Sequence, residues 1–335
     1  MAAQRPAVHV IATGGSISGI GPHRLDYTLY PELGQRSSIE QMLARIPEGR
    51  EIAELQAEDL LRVGSPSIGP KEWLQLARRI NTLFSEAHPP HGVVVTHGTA
   101  TLEETAYFLH LTIKSERPVV VTGAMRPPTA LGTDADLNLL DAIRLAACPE
   151  AAGRGVLTVL NNEIQSARDV TKSNAFRVET FTSGELGFLG YVDADGKVLF
   201  YRDVTRLHTT ATPFVMGGRE TLPRVDIVYA YSGADGMLID AAREHGTDGL
   251  VLAGFGGGSY PGAFLDAGKR AVQAGIPVVL ATRSTAGRVI MTPQKAAAGF
   301  VVSDDLHPQK ARILLMLALG ITRERQAIQD FFYRH

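Results

Sequence analysis

The chain has almost no cysteine, since Cys148 is the only one among its 335 residues. A single cysteine excludes an internal disulfide and a metal centre built on several thiolates. The 10 histidines show no H-E-x-x-H pattern or other spacing typical of metal ligands. The sequence therefore predicts a protein without a bound metal.

Strong charge and long apolar runs are also lacking. The formal net charge is -2, so no basic surplus is available to neutralise phosphates, which argues against a nucleic-acid partner. No run is long and apolar enough to span a bilayer, which argues against a membrane protein. The first residues contain no apolar signal core with a cleavage site, so we expect a cytoplasmic location.

The glycine-rich turn at residues 14–19 does not fit a nucleotide site. Its first two glycines are adjacent, so the turn departs from the G-x-G-x-x-G pattern, and it lacks the lysine of a P-loop. We therefore predict that the protein uses no organic cofactor.

Two turns that do occur each present a threonine after an apolar, β-branched run. IATGGS occupies residues 11–16 and VVTHGTATLEET occupies residues 94–105. Each run is expected to be a buried strand that ends at the turn. Ligands of open α/β sheets bind beyond the carboxyl ends of the strands. The hydroxyls of Thr13 and Thr99 are therefore placed to flank one small substrate.

Short apolar runs alternate with helical patterns along most of the chain. This alternation is typical of parallel strands with helices on both faces. The stretch 212–224 contains two prolines and two adjacent glycines and predicts a linker. The sequence thus predicts an α/β protein with a larger N-terminal domain (1–211), whose parallel-rich sheet is flanked by helices, and a smaller C-terminal α/β domain (225–335).

The elements of both domains are predicted from the same periodicities. In the N-terminal domain we predict strands at residues 7–12, 92–96, 118–122 and 155–160, and helices at 71–85, 102–112 and 134–147. In the C-terminal domain we predict strands at 225–231, 249–253 and 277–281, and helices at 235–245, 262–274, 310–320 and 323–333.

Five short motifs recur in the same order and spacing in one known family. They are TGGS at 13–16, HGT-x-T at 97–101, GAMRP at 123–127, RDVTK at 168–172 and PQKAR at 308–312. On these motifs, which extend over nearly the whole chain, the sequence resembles the bacterial L-asparaginase/glutaminase family. The resemblance implies an amidohydrolase with a small-molecule amide substrate and neither metal nor organic cofactor.

The resemblance implies that Thr13 is the nucleophile. A threonine hydroxyl attacks only after a neighbour removes its proton or lowers its pKa. By resemblance, Thr13 attacks a side-chain amide, forms an acyl-enzyme and releases ammonia, and water then hydrolyses the ester. The polar segment 14–37 matches the family's loop that closes over substrate, and Tyr27 matches the tyrosine that this loop places near the nucleophile.

Thr99 and Lys172 match two members of a second triad in the family. A lysine acts as a base only if its pKa falls well below about 10.4, and burial has this effect. The family's third member is an aspartate that pairs with the lysine and binds the ammonium of an amino-acid substrate. Ala100 stands in its place and can do neither.

Further positions match substrate-binding features of the family. Ser65, which follows Gly64, matches the residue that holds the substrate carboxylate. The resemblance also implies that backbone groups orient the substrate and stabilise an oxyanion near Gly14, Gly98 and Ala124.

Ser259 lies in a glycine-rich run that resembles the family's loop crossing to a partner's active site. If the match holds, a dimer is the smallest active unit. The resemblance further implies a homotetramer, a dimer of dimers.

The departures from the family pattern concentrate around the expected ammonium position. Pro66 replaces a residue that is commonly polar in the family. The run 283–295, where the family uses a glutamate from a neighbouring subunit, contains no acidic residue.

Three interpretations of these departures stay open. The chain is an asparaginase whose ammonium site is displaced or substituted, an amidase for a substrate without a free α-ammonium, or a catalytically weak ligand-binding homologue. For the second, the substrate is an N-substituted asparagine or an ω-amide of a dicarboxylic acid. A carboxylate of Glu103 or Asp169 that pointed into the pocket would restore the first.

Overall fold

The structure, a computed structural model, describes residues 5–335. The described residues separate into two compact units, the first ending at Gly217 and the second covering Gly218–His335. None of the helices in the described range is long and apolar enough to cross a membrane. The finer division into two domains and a linker at 212–224 stays a prediction.

The first unit is organised around one large sheet and a separate hairpin. Its strands are β1 (Ala7–Gly14), β2 (Glu54–Val63), β3 (Gly92–Thr96), β4 (Val119–Thr122), β5 (Val156–Leu160), β6 (Glu163–Ser166), β7 (Thr171–Lys172), β8 (Phe181–Thr182), β9 (Gly190–Val192) and β10 (Val198–Phe200). The eight-stranded sheet has the order β10-β9-β6-β5-β4-β3-β1-β2, and β7 pairs with β8. Strands β1 to β5 run parallel, whereas β6, β9 and β10 join antiparallel.

Helices of the first unit precede or follow these strands. They are α1 (Tyr30–Leu33), α2 (Ile39–Ala44), α3 (Gly49–Ile52), α4 (Pro70–Phe84), α5 (Leu102–Thr112) and α6 (Ala135–Ala147). Alternate residues of β1 point to the same face of the sheet, and Val8 and Val10 share one core cluster with Leu139 and Ile143 of α6. Burial of these aliphatic side chains fixes the sheet against the helix.

Strand β2 lies at an edge of the sheet and was not among the predicted strands. Its sequence, ELQAEDLLRV, is only partly buried along its whole length, as an edge strand with a solvated face allows. Because charged residues interrupt its apolar positions, the sequence offers little strand signal. The strand nevertheless pairs with β1 in parallel, so its carboxyl end reaches the same edge of the sheet.

The second unit contains a smaller, wholly parallel sheet. Its strands are β11 (Val225–Tyr229), β12 (Gly249–Gly254), β13 (Val278–Thr282) and β14 (Val301–Val302), paired in that order. Its helices are α7 (Met237–Glu244), α8 (Gly262–Gln273), α9 (Pro293–Ala297), α10 (Pro308–Leu319) and α11 (Arg325–Arg334). The predicted fold class, two α/β units of unequal size with parallel-rich sheets, is confirmed.

Candidate active site

A small cavity opens where the carboxyl ends of β1, β2 and β3 meet. Its volume is about 190 Å³, which is below the size of pockets for drug-sized ligands and suits a small substrate. It is lined by Gly15, Ser16, Gly19, Tyr30, Pro31, Gln35, Arg36, Gly64, Ser65, Pro66, Gly98, Thr99 and Ala100. The cavity lies at the edge of the sheet where open α/β proteins bind ligands.

Two adjacent glycines turn the chain from β1 into this cavity. Gly14 and Gly15 have φ values of 104° and 83°, a backbone region that other residues rarely adopt. A Cβ on Gly15 would lie 2.2 Å from the Cα of Gly98, and one on Gly14 would lie 2.3 Å from the carbonyl oxygen of Val63. The glycines therefore allow the end of β1 to approach the last residue of β2 and the turn after β3, and they place Ser16 on the cavity wall.

Ser16 is held by a tyrosine of the loop that follows. The hydroxyl of Tyr30 donates a 2.7 Å hydrogen bond to the Oγ of Ser16. The carboxylate of Asp26 accepts hydrogen bonds from the backbone N–H groups of Leu29 and Tyr30, at 2.7 and 2.9 Å, and so fixes the start of α1. Burial raises the pKa of Tyr30 above its ordinary value, so the phenol stays protonated at neutral pH.

Thr99 and Lys172 form the second polar pair of the site. The Nζ of Lys172 donates a 2.8 Å hydrogen bond to the Oγ1 of Thr99, which lines the cavity. Burial lowers the pKa of Lys172, and the carboxylate of Glu103 opposes that shift. A lower pKa increases the fraction of Lys172 that is neutral at physiological pH, and the neutral amine can accept a proton.

A buried histidine fixes the backbone next to Thr99. The Nε1–H of Trp73 donates to the Oγ1 of Thr105 at 2.9 Å, so the threonine hydrogen is directed to the Nε2 of His97, also at 2.9 Å. The proton of His97 must then lie on Nδ1, which donates to the carbonyl of Gly98 at 2.8 Å. Burial lowers the pKa of His97 to about 4, so the ring is neutral and serves to position the backbone.

The structure does not bring Thr13 to the cavity. Its side chain is fully buried, and its Oγ1 donates a 2.8 Å hydrogen bond to the carbonyl of Thr96 on the neighbouring strand β3. Because Thr13 still belongs to the buried face of β1, its hydroxyl has no access to a substrate there. The structure therefore places the hydroxyl of Ser16, and not that of Thr13, on the cavity wall, while the attacking role predicted for Thr13 stays a prediction.

Tyr27 also lies away from the cavity. Its side chain is 37% exposed, its hydroxyl donates to the carbonyl of Leu131 at 3.0 Å, and the guanidinium of Arg126 lies 5.6 Å from its ring centroid. Tyr30, rather than Tyr27, is the tyrosine that lines the cavity, and the role predicted for Tyr27 stays a prediction.

The remaining predicted residues divide into three groups. Gly64, Ser65, Gly98 and Ala100 line the cavity, and their roles in substrate binding stay predictions. The Ala124 side chain packs in the core of the first unit. Ser259 is exposed in the second unit, where its backbone pairs with that of Phe255, and its predicted role stays a prediction.

Ser16, Tyr30 and Arg36 are among the cavity residues that were not predicted from the sequence. A signal for Ser16 was present, because the first side chain after two glycines leaves the strand, whereas Thr13 precedes the turn. Tyr30 follows an aspartate by four residues and precedes Pro31, a pattern typical of a helix start. In residues 5–335 no cluster of three or more His, Cys, Asp or Glu side chains is arranged to hold a metal ion.

Two family models match the chain and together span most of it. The model described as "Asparaginase, N-terminal" matches residues 7–206, and the one described as "Glutaminase/Asparaginase C-terminal domain" matches residues 224–332. The chain belongs to the asparaginase family. It is an enzyme of the amidohydrolase class that acts on linear amides.

Individual relatives agree with this membership of the asparaginase family. L-asparaginase 2 of Bacillus subtilis is 43% identical over 327 residues, covering 98% of this chain and 86% of that protein. L-asparaginase 2 of Escherichia coli is 39% identical and covers 98% of this chain and 93% of that protein.

A crystal structure of a probable cytoplasmic L-asparaginase from Campylobacter jejuni superimposes with a TM-score of 0.95 at 40% identity, covering 99% of this chain and all of that chain. A Haemophilus influenzae relative, 40% identical over 99% of this chain and 93% of that protein, is named a probable periplasmic L-asparaginase. Because the names of these relatives divide over location, a cytoplasmic location stays a prediction.

Proposed function

We propose that this asparaginase-family enzyme hydrolyses a carboxamide through an ester formed on Ser16. The observation that carries the proposal is the arrangement of two polar pairs at one small cavity: Ser16, Tyr30 and Thr99 line its walls, and Lys172 is bonded to Thr99. A hydroxyl nucleophile needs a neighbouring group that accepts its proton, and the two pairs supply a hydroxyl and a lysine with a lowered pKa.

The proton chemistry divides between the two pairs. Tyr30 is a phenol whose pKa is raised by burial, so it acts as a hydrogen-bond donor that orients Ser16. Lys172 has its pKa lowered by burial, and its neutral amine accepts the proton of Thr99 while Thr99 accepts the proton of the attacking hydroxyl. The base of the reaction is therefore the Thr99–Lys172 pair.

The reaction proceeds in two stages, formation of the ester and its hydrolysis. The Oγ of Ser16 bonds to the amide carbon, and the backbone N–H groups after β1 and β3 stabilise the oxyanion. The C–N bond then breaks, and the nitrogen takes up the proton held by the Thr99–Lys172 pair and leaves as ammonia. Water next attacks the ester with the same pair as base, which frees the carboxylate product and restores Ser16.

Replacing Ser16 tests the proposal against the alternative hydroxyl of Thr13. In Ser16→Ala we expect ammonia release from a panel of ω-amides to fall to background, and in Ser16→Thr we expect part of it to remain. The matched control is Thr13→Val, which removes a buried hydrogen bond worth about 1 kcal/mol of stability but should keep kcat within a few-fold. Hydroxylamine should trap the ester in Thr13→Val but not in Ser16→Ala. Loss of turnover in Thr13→Val together with full activity in Ser16→Ala would refute the assignment.

A catalytically weak, ligand-binding homologue is the competing hypothesis, because Ala100 leaves the second triad without its carboxylate. It predicts binding of carboxylate ligands with little ammonia from any amide in the panel. The predicted dimer-of-dimers assembly is a separate proposal, which sedimentation of the purified chain would test.

A further inference from the structure

The formal charge on the cavity wall is of one sign, positive. Of the side chains that line it, only that of Arg36 is formally charged, and it is a cation. The amine of Lys172 lies directly behind Thr99 and adds positive charge whenever it is protonated. Over the described part of the chain, no carboxylate contributes to the lining of this cavity.

Arg36 is fixed beside the substrate space by its own segment. The backbone N–H of Ile20 donates to the carbonyl of Gln35 at 3.0 Å, and that of Ser37 donates to the carbonyl of Ser18 at 2.7 Å. These bonds hold the arginine backbone against the turn that carries Ser16, so its position is built into the fold of the loop.

The guanidinium of Arg36 lies over the turn that carries Ser65. Its Nη1 donates to the carbonyl of Gly34 at 3.1 Å. Its Nη2 lies 3.6 Å from the position that a Cβ on Gly64 would occupy. Within residues 5–335, Arg36 forms no ion pair with a carboxylate, so its charge is available to a ligand.

The two carboxylates that would reverse this balance lie outside the lining. Glu103 is buried in the first turn of α5, where it raises the pKa of Lys172. Asp169 pairs with Arg168 at 3.1 Å. Residues 66 and 100, which border the cavity, are the apolar Pro66 and Ala100.

We propose that Arg36 and Ser65 bind the carboxylate of the substrate, and that the substrate is an ω-amide carrying no cationic α-amino group. A guanidinium presents parallel N–H donors that match a carboxylate, and the Ser65 hydroxyl adds a neutral donor. An α-ammonium in the same cavity would meet a like charge and no carboxylate among the lining side chains, and a desolvated ion without a counter-charge is strongly disfavoured. The small cavity favours the monoamide of a short dicarboxylic acid, and this substrate assignment rests on the proposed amidohydrolase function.

Substrate competition tests the proposal on the intact enzyme. We expect kcat/KM for succinamate, or for N-acetyl-L-asparagine, to exceed that for L-asparagine by about tenfold or more. We expect Arg36→Gln to lower kcat/KM for succinamate by about 10- to 100-fold, mainly through KM, with partial rescue in Arg36→Lys. The matched control is Arg24→Gln, an exposed arginine of the same loop that does not line the cavity, which should change little.

Product binding separates this inference from the proposed catalysis. In Ser16→Ala, calorimetry should show succinate binding more tightly than L-aspartate, and Arg36→Gln on that background should weaken succinate binding. Tighter binding or faster turnover of the amino acid overturns the inference while leaving the amidohydrolase proposal intact. Absence of ammonia from every amide, with succinate still preferred, overturns catalysis and supports the binding assignment.

Discussion

The hydroxyl of Tyr30 donates a 2.7 Å hydrogen bond to the Oγ of Ser16 across the wall of the cavity. This bond joins the later part of the polar segment 14–37 to the turn after β1, because Tyr30 begins the short helix α1 while Ser16 follows the two glycines. The orientation of the proposed nucleophile therefore depends on how the loop folds.

Tyr30→Phe removes the donor to Ser16 without changing the ring. We expect kcat to fall by about 100-fold, within the range for a lost catalytic hydrogen-bond partner, while KM changes little because the phenol orients the nucleophile. Steady-state kinetics on the best amide of the panel provide the measurement. Tyr27→Phe is the control, since its hydroxyl donates to the carbonyl of Leu131, and an equal loss in both variants would show that the loop as a whole was disturbed.

The pH profile reports the protonation of Lys172. Since the neutral amine is the active form, we expect kcat/KM to rise with pH through an apparent pKa below that of a free lysine, in the direction given by burial. Glu103 raises the pKa of Lys172, so Glu103→Gln should move the rising limb to lower pH. Ala100→Asp, one residue after Thr99, should move it to higher pH.

Glu104→Gln is the matched control for this profile. Glu104 neighbours Glu103 in the first turn of α5 but is not among the groups that shift the pKa of Lys172. If the rising limb of the pH profile stays in place in Glu103→Gln, or moves equally in Glu104→Gln, the proposed role of Lys172 as the base is wrong.

His97 makes the stability of the fold sensitive to acid. Its pKa is lowered to about 4 in the folded chain, against about 6.5 for an unfolded histidine, so the unfolded state binds the proton first. The neutral ring therefore stabilises the fold fully above pH 6.5. As the pH falls from 6.5 towards 4, the free energy of unfolding decreases by about 3 kcal/mol.

Denaturant unfolding at a series of pH values measures this loss. In His97→Gln we expect a lower stability at pH 7 and a shallower decline towards pH 4, since the group that titrates is gone. His23→Gln, in the exposed part of the loop, should retain the wild-type slope, and an unchanged slope in His97→Gln would contradict the assignment.

Much of the fold was predictable because buried strands have strong local signals. The apolar runs at 92–96 and 249–253 became β3 and β12 within a residue of their predicted bounds. Strand β2 was missed because none of its residues is fully buried and charged residues interrupt its apolar positions. The short β6, β9 and β10 pair antiparallel, and such partners are set by tertiary packing rather than by local periodicity.

The candidate site was predictable in its location and only partly in its residues. The absence of a carboxylate at Ala100 and Pro66 was evident in the sequence, and the structure places both residues on the cavity wall. The choice between Thr13 and Ser16 depends on where β1 stops and which side of the turn faces the cavity, and that depends on positive φ angles at two glycines. The position of Arg36 at the cavity could not be predicted, because it depends on the backbone pairing of residues 35–37 with residues 18–20.

The cavity walls come from the ends of three neighbouring strands, and no contiguous stretch of the chain carries them. Affinity for a ligand can therefore arise only after β1, β2 and β3 have assembled, and a bound dicarboxylate will favour the native state by mass action. The bound ligand should slow amide hydrogen exchange in all three strands together. Binding in one small cavity would then be detectable in strands that are far apart in the sequence.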